Sequence, residues 1–345
     1  MSKLMDKLLG SGSIKNAAVL AESTFFNVKD NIPTSIPIIN VAFSGRLDGG
    51  LVPGVTFFAG PSKSYKTLAA LFCMKAYLDK YPDGIAMLFD SEFGVTPEYL
   101  QEQGIDSSRV IHIPIEHLEQ LKFDMVKRLD AIERGDKVFI MIDSLGSLSS
   151  KKEVEDALEE KSVADMTRAK AIRSLLRIIT PHLTMKDLPC IIINHTYSEM
   201  GLFPRQVMGG GTATVYSANQ VFFFSRSQEK DGTEIAGWNF TITIEKSRFV
   251  REKSKLTFQV MYETGMNLFS GLMDLALESG HCSKPKNGWY LSKYGDKNYR
   301  LADTNTTEFW NPIVTDPTFQ EFVKNKFMLT TRAQFEEEDD SDESE

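Results

Sequence analysis

The sequence predicts an α/β protein built on a mostly parallel sheet flanked by helices, with a small α+β unit appended near its C-terminal end. Short apolar runs at residues 55–59, 85–89, 138–142, 190–193 and 221–224 have the length and composition of buried strands. Between the earlier runs lie helical patterns such as Leu118, Leu121, Met125, Leu129 and Ile132, whose spacings of three and four keep one face apolar. Strand alternating with helix implies a parallel sheet covered on both faces. Further along, the pattern changes. FTITIEKSRF and LTFQVMY read as consecutive strands separated by a basic connector, which adds antiparallel strands to one edge. After Gly271 comes a short helical stretch, LMDLALESG, then a polar segment punctuated by Gly and Asn up to about Phe335, which reads as the small accessory unit. The chain has no internal repeat.

At 345 residues the chain is long enough for two or three units, and the pattern favours one dominant domain. Its 42% hydrophobic and 25% charged residues are ordinary for a globular protein, and no apolar run reaches the roughly 18 residues of a membrane helix. MSKLMDKLLG alternates charge with Leu and Met at helical spacing and lacks a secretory signal's apolar core, so it reads as a short amphipathic helix. Cys73, Cys190 and Cys282 are odd in number and match no metal-ligand spacing, which points to a reducing compartment. The net charge of -8 is uneven. Of 47 acids, eight fall in the last ten residues, EEEDDSDESE, leaving 39 acids against 39 bases in the body. Such a run reads as a solvated, disordered tail, which is also able to compete with a polyanion for a basic groove.

The stretch AGPSKSYKTL nearly spells a phosphate-binding loop, G-x-x-x-x-G-K-[ST], with Tyr65 where the second glycine belongs. It sits between the run VTFFA and a helical pattern, as that motif requires. Gly60, Pro61, Ser62, Lys63, Ser64, Tyr65, Lys66 and Thr67 would then form a phosphate cradle, with the backbone N–H groups coming from the residues other than Pro61. The Lys66 ammonium would reach the outer phosphates and the Thr67 hydroxyl would ligate magnesium. A non-glycine residue in left-handed geometry costs about 1–2 kcal/mol, small beside several charge-assisted bonds to a triphosphate. The Tyr65 ring is expected to lie outward over the loop, its N–H still facing phosphate. KVFIMIDS ends an apolar run in Asp143, where a carboxylate holds a magnesium shell through water or merely caps a turn. LFDSEFGVTPEYL ends its strand at Asp90 and puts Glu92 on the same edge, where it would orient an attacking water; spacing alone equally allows a surface carboxylate.

In this order, GPSKSYKT, DSEFGVTPEYL, FIMIDS, IINH, MGGGT, EKSR and GLMDLALESG resemble the RecA-type recombinases, and among them the UvsX recombinases of T-even-like phages, from about Phe25 to Phe319. The resemblance implies a RecA-like P-loop NTPase core at 31–270, preceded by an oligomerisation arm at 1–30 that docks on the next protomer. The accessory domain would span 271–335 and the acidic tail 336–345. It further implies ATP and Mg2+ as cofactors, Glu92 as the catalytic carboxylate and Tyr99 as the aromatic that stacks on adenine. His195 falls where most relatives carry a glutamine that senses the terminal phosphate. Histidine also has an N–H to donate to an oxygen of that phosphate; without the resemblance it is a strand-end histidine. Lys246 and Arg248 correspond to cations that reach a neighbour's ATP, and otherwise read as a basic turn.

Two stretches should be mobile and face DNA: SKKEVEDALEEKSVADM and TYSEMGLFPRQVMGGGTATVY. In the second, Met200 and Phe203 are candidate wedges between bases, Arg205 is a cation among them, and Gly209, Gly210 and Gly211 lead into a helix whose N–H groups would bind phosphate. The first is unusually acidic for a DNA contact, and its role stays open. Between them, Lys170, Arg173 and Arg177 share one helical face, opposite Ile172, Leu175, Leu176 and Ile179. Such cations are usually solvated; here they favour contact with DNA phosphate.

The resemblance implies a DNA-dependent ATPase that forms helical filaments on single-stranded DNA, pairs it with homologous duplex and exchanges strands in phage recombination, repair and recombination-dependent replication. Its implied partners are single- and double-stranded DNA, further copies of itself, a phage single-strand-binding protein and a UvsY-type mediator, in the cytoplasm of a bacterial host and without a membrane. A hexameric helicase on the same core, and a paralogue that loads partners without turnover, are the alternatives.

Overall fold

The structure, a computed structural model, describes residues 3–14, 17–23, 30–159, 167–199 and 206–329. It divides into a unit of residues 1–31 and a unit of residues 32–345. In the first, the expected amphipathic helix is α1 (Lys3–Ser11), none of whose residues is buried.

The second unit begins with α2 (Pro37–Ser44), started by a proline at its first position and ended by Gly45 in left-handed geometry. It buries Ile38, Ile39, Val41 and Phe43. Then strands and helices alternate as the sequence predicts: β1 (Gly54–Ala59), α3 (Lys66–Lys80), β2 (Ile85–Asp90), α4 (Pro97–Glu102), β3 (Val110–Pro114), α5 (Leu118–Ala131) and β4 (Val138–Asp143). Residues 151–158, expected to lie in a mobile stretch, instead form α6 (Lys151–Leu158). Its start is fixed by a capping box in which Ser150 and Glu153 satisfy each other's backbone N–H groups. Lys151–Glu155 and Lys152–Asp156 ion pairs then run along it one turn apart.

The long helix α7 (Thr167–Met185) leads into β5 (Pro189–Asn194). A two-stranded ribbon of β6 (Thr196–Ser198) and β7 (Gln206–Met208) precedes the one-and-a-half-turn helix α8 (Thr212–Ser217). Next come β8 (Gln220–Asp231), β9 (Glu234–Lys246), β10 (Lys255–Met261) and β11 (Gly265–Asn267). The remaining elements are α9 (Leu272–Glu278), the three-stranded antiparallel sheet β12 (Cys282–Lys286), β13 (Trp289–Ser292) and β14 (Asn298–Arg300), and then α10 (Thr307–Val314) and α11 (Pro317–Phe327).

The central sheet has nine strands among the described residues, in the order β11-β10-β9-β8-β1-β5-β4-β2-β3. From β8 to β3 neighbours are parallel; β9, β10 and β11 extend it antiparallel. Because side chains alternate across a strand, Phe58 and Phe57 point to opposite faces and serve two hydrophobic clusters. The first cluster includes α2 and α3, and also Leu272, Trp310, Ile313 and Phe319 from the C-terminal elements. The second is closed by α5 and α7 through Leu121, Met125, Leu175 and Ile179. No described helix is long and apolar enough to cross a membrane, and all three cysteines are buried and free.

Candidate nucleotide site and DNA-facing elements

Four strands deliver the site. Ala59 at the end of β1 stands opposite Asn194 at the end of β5, and Asp90 of β2 opposite Asp143 of β4. The residues that follow, Gly60, His195, Ser91 and Ser144, therefore leave one carboxyl edge of the parallel sheet, where ligands of such sheets bind. A cleft of about 430 Å³ opens there, lined by Ser62 to Thr67, Glu92, Tyr99, His195 and others.

The loop from Gly60 to Tyr65 ends where α3 begins. A side chain at Gly60 would collide with the Phe224 carbonyl at 2.5 Å, so this position requires glycine. Lys66 is buried, and its Nζ donates to the Pro61 carbonyl at 2.7 Å. Burial pushes its pKa down, partly offset by Glu92 and Asp143. Thr67 Oγ1 donates to Asp143 Oδ2 at 2.9 Å, while Asp143 Oδ1 is buried without a partner. Burial, with Glu92 and Asp90 adding to it, raises the Asp143 pKa to about 7 against the opposing Thr67 bond and Lys66 charge. A buried carboxylate oxygen lacking a donor, beside a threonine hydroxyl, fits a hydrated divalent cation.

Glu92 Oε1 accepts from Ser144 Oγ at 2.6 Å and Ser147 Oγ at 2.9 Å, and lies 3.3 Å from His195 Nε2. Burial pushes its pKa up, but the two hydroxyls and His195 outweigh it and hold the carboxyl below its usual range. Glu92 is thus ionised and aimed at the candidate phosphate sensor. Asp90, nearly fully buried, holds the turn that carries it: Oδ1 accepts the N–H groups of Glu92 and Phe93 at 3.0 and 2.7 Å, and Oδ2 lies 3.1 Å from His112 Nε2. The Asp143–Ser144 peptide is cis.

Tyr65 corrects an expectation. It adopts the anticipated left-handed geometry, φ 64°, but its ring turns back onto β9 instead of lying outward over the loop. It packs against Phe240 with centroids 4.2 Å apart, because a half-buried aromatic face gains more on the apolar sheet than in solvent. Burial raises its pKa, and that of Tyr99, which lines the same cleft.

Lys246 and Arg248 do not join this edge. β9 runs antiparallel to β8, so Lys246 pairs with Val221 near the start of β8, level with Phe57 in the middle of β1, as the chain runs away from the carboxyl edge. Lys246 Nζ donates to the carbonyls of Val215, Tyr216 and Ala218 at 2.8, 3.0 and 2.7 Å, closing the C-terminal end of α8. Burial and the neighbouring Arg248 charge lower its pKa, against Glu252. Arg248 is exposed.

On α7, Lys170, Arg173 and Arg177 are exposed along one face while Ile172, Leu175, Leu176 and Ile179 are buried, as their spacing predicts. Gly209 is tied to the site: its N–H donates to the His195 carbonyl and its carbonyl accepts from Asn194 Nδ2. Gly210 and Gly211 have positive φ at 93° and 76°, and α8 starts directly after them. Met200, Phe203 and Arg205 lie outside the described residues, as does the acidic tail.

Several participants escaped the sequence motifs. Ser144 and Ser147 hold Glu92, Asn194 links the sensor strand to the glycines, and Arg168 donates to the carbonyls of Leu145, Gly146 and Leu148, fixing the loop after β4. Arg226, Trp238 and Tyr262 line the cleft from the antiparallel extension. The serine directly after strand-end Asp143 was a usable signal; the others come from more distant positions.

Two expectations follow from these energetics. Since Asp143 binds a proton when folded and loses it when unfolded between about pH 4 and 7, ligand-free stability falls as pH rises through that window. Asp143→Asn should therefore raise the thermal midpoint of the nucleotide-free protein by a few degrees at pH 8, with a smaller gain at pH 5, measured by differential scanning fluorimetry. At Tyr65, glycine removes about 1–2 kcal/mol of left-handed strain while losing a comparable aromatic contact. Thermal midpoints should place Tyr65→Gly near wild type with nucleotide binding retained, and Tyr65→Ala, which keeps the strain and loses the ring, about 2 kcal/mol lower.

Known proteins are similar to this chain in sequence. A family model described as the RecA N-terminal domain matches residues 2–267. One described as the C-terminal domain of the bacteriophage T4 recombination and repair protein matches residues 269–323. The recombination and repair protein of Enterobacteria phage T4 is 48% identical, over 95% of this chain and 87% of that protein. RecA of Tropheryma whipplei is 26% identical over 94% of this chain and 70% of its own length, and RecA of Chlorobaculum tepidum 28% over 70% and 69%. With one family model covering most of its length, another its C-terminal part, and a relative 48% identical across nearly all of it, the chain belongs to the RecA family of recombinases, in the branch that contains the T4 recombination and repair protein.

Proposed function

We propose that the chain is a DNA-dependent ATPase that assembles as a helical filament on single-stranded DNA, pairs it with homologous duplex and exchanges strands during phage recombination, repair and replication. The observation that carries this reading is a divided site. Phosphate loop, cation ligands and water-orienting carboxylate share one sheet edge, while the two cations assigned to hydrolysis come where β9 has run away from it, with Lys246 held at the end of α8. A protomer so arranged completes its site only with a neighbour.

Lys66 exchanges the Pro61 carbonyl for the outer phosphates of ATP. Thr67 and Asp143 are the residues that would hold Mg2+, whose charge would offset that of the phosphates. Glu92 orients a water and accepts its proton, Ser144 and Ser147 keep the carboxylate fixed, and His195 donates to the terminal phosphate. Through the Gly209 bonds, a shift of His195 is passed to the glycines before α8. These glycines, with Met200, Phe203 and Arg205, form one DNA contact, and Lys170, Arg173 and Arg177 supply phosphate contacts on α7. Residues 1–30 act as the docking arm, 31–270 as the ATPase core and 271–335 as the accessory domain. A phage single-strand-binding protein and a UvsY-type mediator are the proposed loading partners, in the host cytoplasm.

Steady-state ATP hydrolysis with and without single-stranded DNA, paired with electron micrographs, tests the reading. DNA should stimulate turnover severalfold and give open filaments; closed rings with directional unwinding would favour a helicase, and absence of stimulation a non-hydrolysing paralogue. Glu92→Gln should lower turnover by at least about a hundredfold while filaments still form. The tail of residues 336–345 is proposed to compete with duplex DNA for basic surface. Its deletion should tighten duplex binding at low salt, with the difference vanishing at high salt; equal affinities throughout a salt titration would dismiss the competition.

A further inference from the structure

The inward turn of Tyr65 points to a part of the cleft that the motif residues leave unexplained. Phe240, on which its ring rests, is the register partner of Arg226 across β8 and β9. On β8 itself, the Phe224 carbonyl abuts Gly60 at the start of the phosphate loop. Two residues along a strand return to the same face after a rise of about 7 Å. Arg226 therefore leaves β8 beside the loop and above it, and it lines the cleft together with Ser62, Lys63 and Lys66.

Arg226 is exposed, and among the described residues it forms no hydrogen bond or ion pair. Its guanidinium lies over the Trp238 ring, 4.2 Å from the centroid. Trp238 is itself fixed: its Nε1 donates to the Tyr262 hydroxyl at 2.8 Å. Gly237 beside it passes so near β10 that a Cβ there would meet the Val260 carbonyl at 2.5 Å. A guanidinium held flat on an indole keeps its in-plane N–H donors free and has less freedom to lose when an anion arrives. A planar cation without a carboxylate, facing a loop shaped for phosphate, is suited to forked recognition of phosphate oxygens.

We propose that Arg226 binds the polyphosphate of the nucleotide within its own protomer, and that Trp238 is the platform that positions it. This rests on residues 60–67 being the phosphate loop. Tyr65 belongs to the same arrangement, since its ring fastens the loop to the strand position facing Arg226. The family's paired cations reach a neighbour's nucleotide, whereas Arg226 acts at its own.

Calorimetric titration of the full chain without DNA, using ATP with Mg2+ and, as a base-free probe, inorganic tripolyphosphate with Mg2+, separates the possibilities. Arg226→Ala should weaken both ligands by about tenfold, with Arg226→Lys recovering part of the loss because an ammonium lacks the planar fork. Trp238→Ala should weaken both by severalfold and Trp238→Phe by less. The double variant Arg226→Ala/Trp238→Ala should bind no more weakly than Arg226→Ala, as expected if Trp238 acts through Arg226. Wild-type affinity of Arg226→Ala for both ligands would overturn the proposal. A Trp238→Ala defect confined to ATP would make the indole a base-stacking surface and overturn its positioning role. Lys66→Ala is the separate control: unchanged binding of both ligands in that variant would remove the phosphate-loop assignment itself, whatever Arg226 does.

Discussion

Ala59 stands level with Asn194, and Asp90 level with Asp143, so four parallel strands end together and the next residue of each enters one space. Everything at the candidate nucleotide site depends on that register. A slip of one residue along β4 would turn Asp143 to the other face of the sheet, breaking its bond to Thr67 and the seat of Ser144 beneath Glu92. The register is secured by burial: β1, β4 and β5 are buried along their whole length, and each contributes alternately to the two hydrophobic clusters. Hydrophobic packing below the edge is what permits polar groups to be held with precision at it.

The site is accordingly costly in isolation. Asp143 is buried with one oxygen unsatisfied, Lys66 is buried on a carbonyl, and Tyr65 occupies left-handed backbone geometry. Each expense of this kind is met elsewhere by the cores and, in the proposed function, would be recovered when an anion and a cation enter together. Glu92 differs, because three neighbours stabilise its charged form in advance. The carboxylate assigned to water needs its charge before the reaction, whereas the one assigned to the cation gains from ionising only once the cation is present.

How much of this could be read from the chain follows from how local each feature is. The loop between β1 and α3, the strand-end position of Asp143 and the cation face of α7 are fixed by residues within one or two turns of each other, and their spacing showed them. The start of α6 was legible too, in the Ser150 and Glu153 pair, but the acidity of the segment drew attention to charge over capping. Tyr65 was misjudged because its partner, Phe240, is on a strand far along the chain, and no local pattern says which way a ring at a loop will fold. Arg226 and Trp238 reach the cleft only because β8 and β9 run well beyond the short apolar stretches that announced them, and Tyr262, just after β10, only because β10 pairs with β9. Asp90 and Arg168 hold turns through backbone atoms, a role that any sequence motif built on side-chain types passes over.

Lys246 shows how β9 is joined to α8. Its ammonium gathers three carbonyls at the end of α8, and α8 begins where the glycines tied to His195 finish. One cation thus braces the helix behind the proposed DNA contact, and the assigned role asks it to meet a neighbour's phosphate as well. Removing it would leave three carbonyls short of a donor and loosen α8 whether or not a neighbour were present. A loss of activity at Lys246 consequently does not by itself locate the residue at a nucleotide. Arg248 separates the two effects: it is exposed, and among the described residues it holds no hydrogen bond or ion pair. If the interface needs cations in trans, Arg248 is where their removal acts on hydrolysis while α8 stays braced.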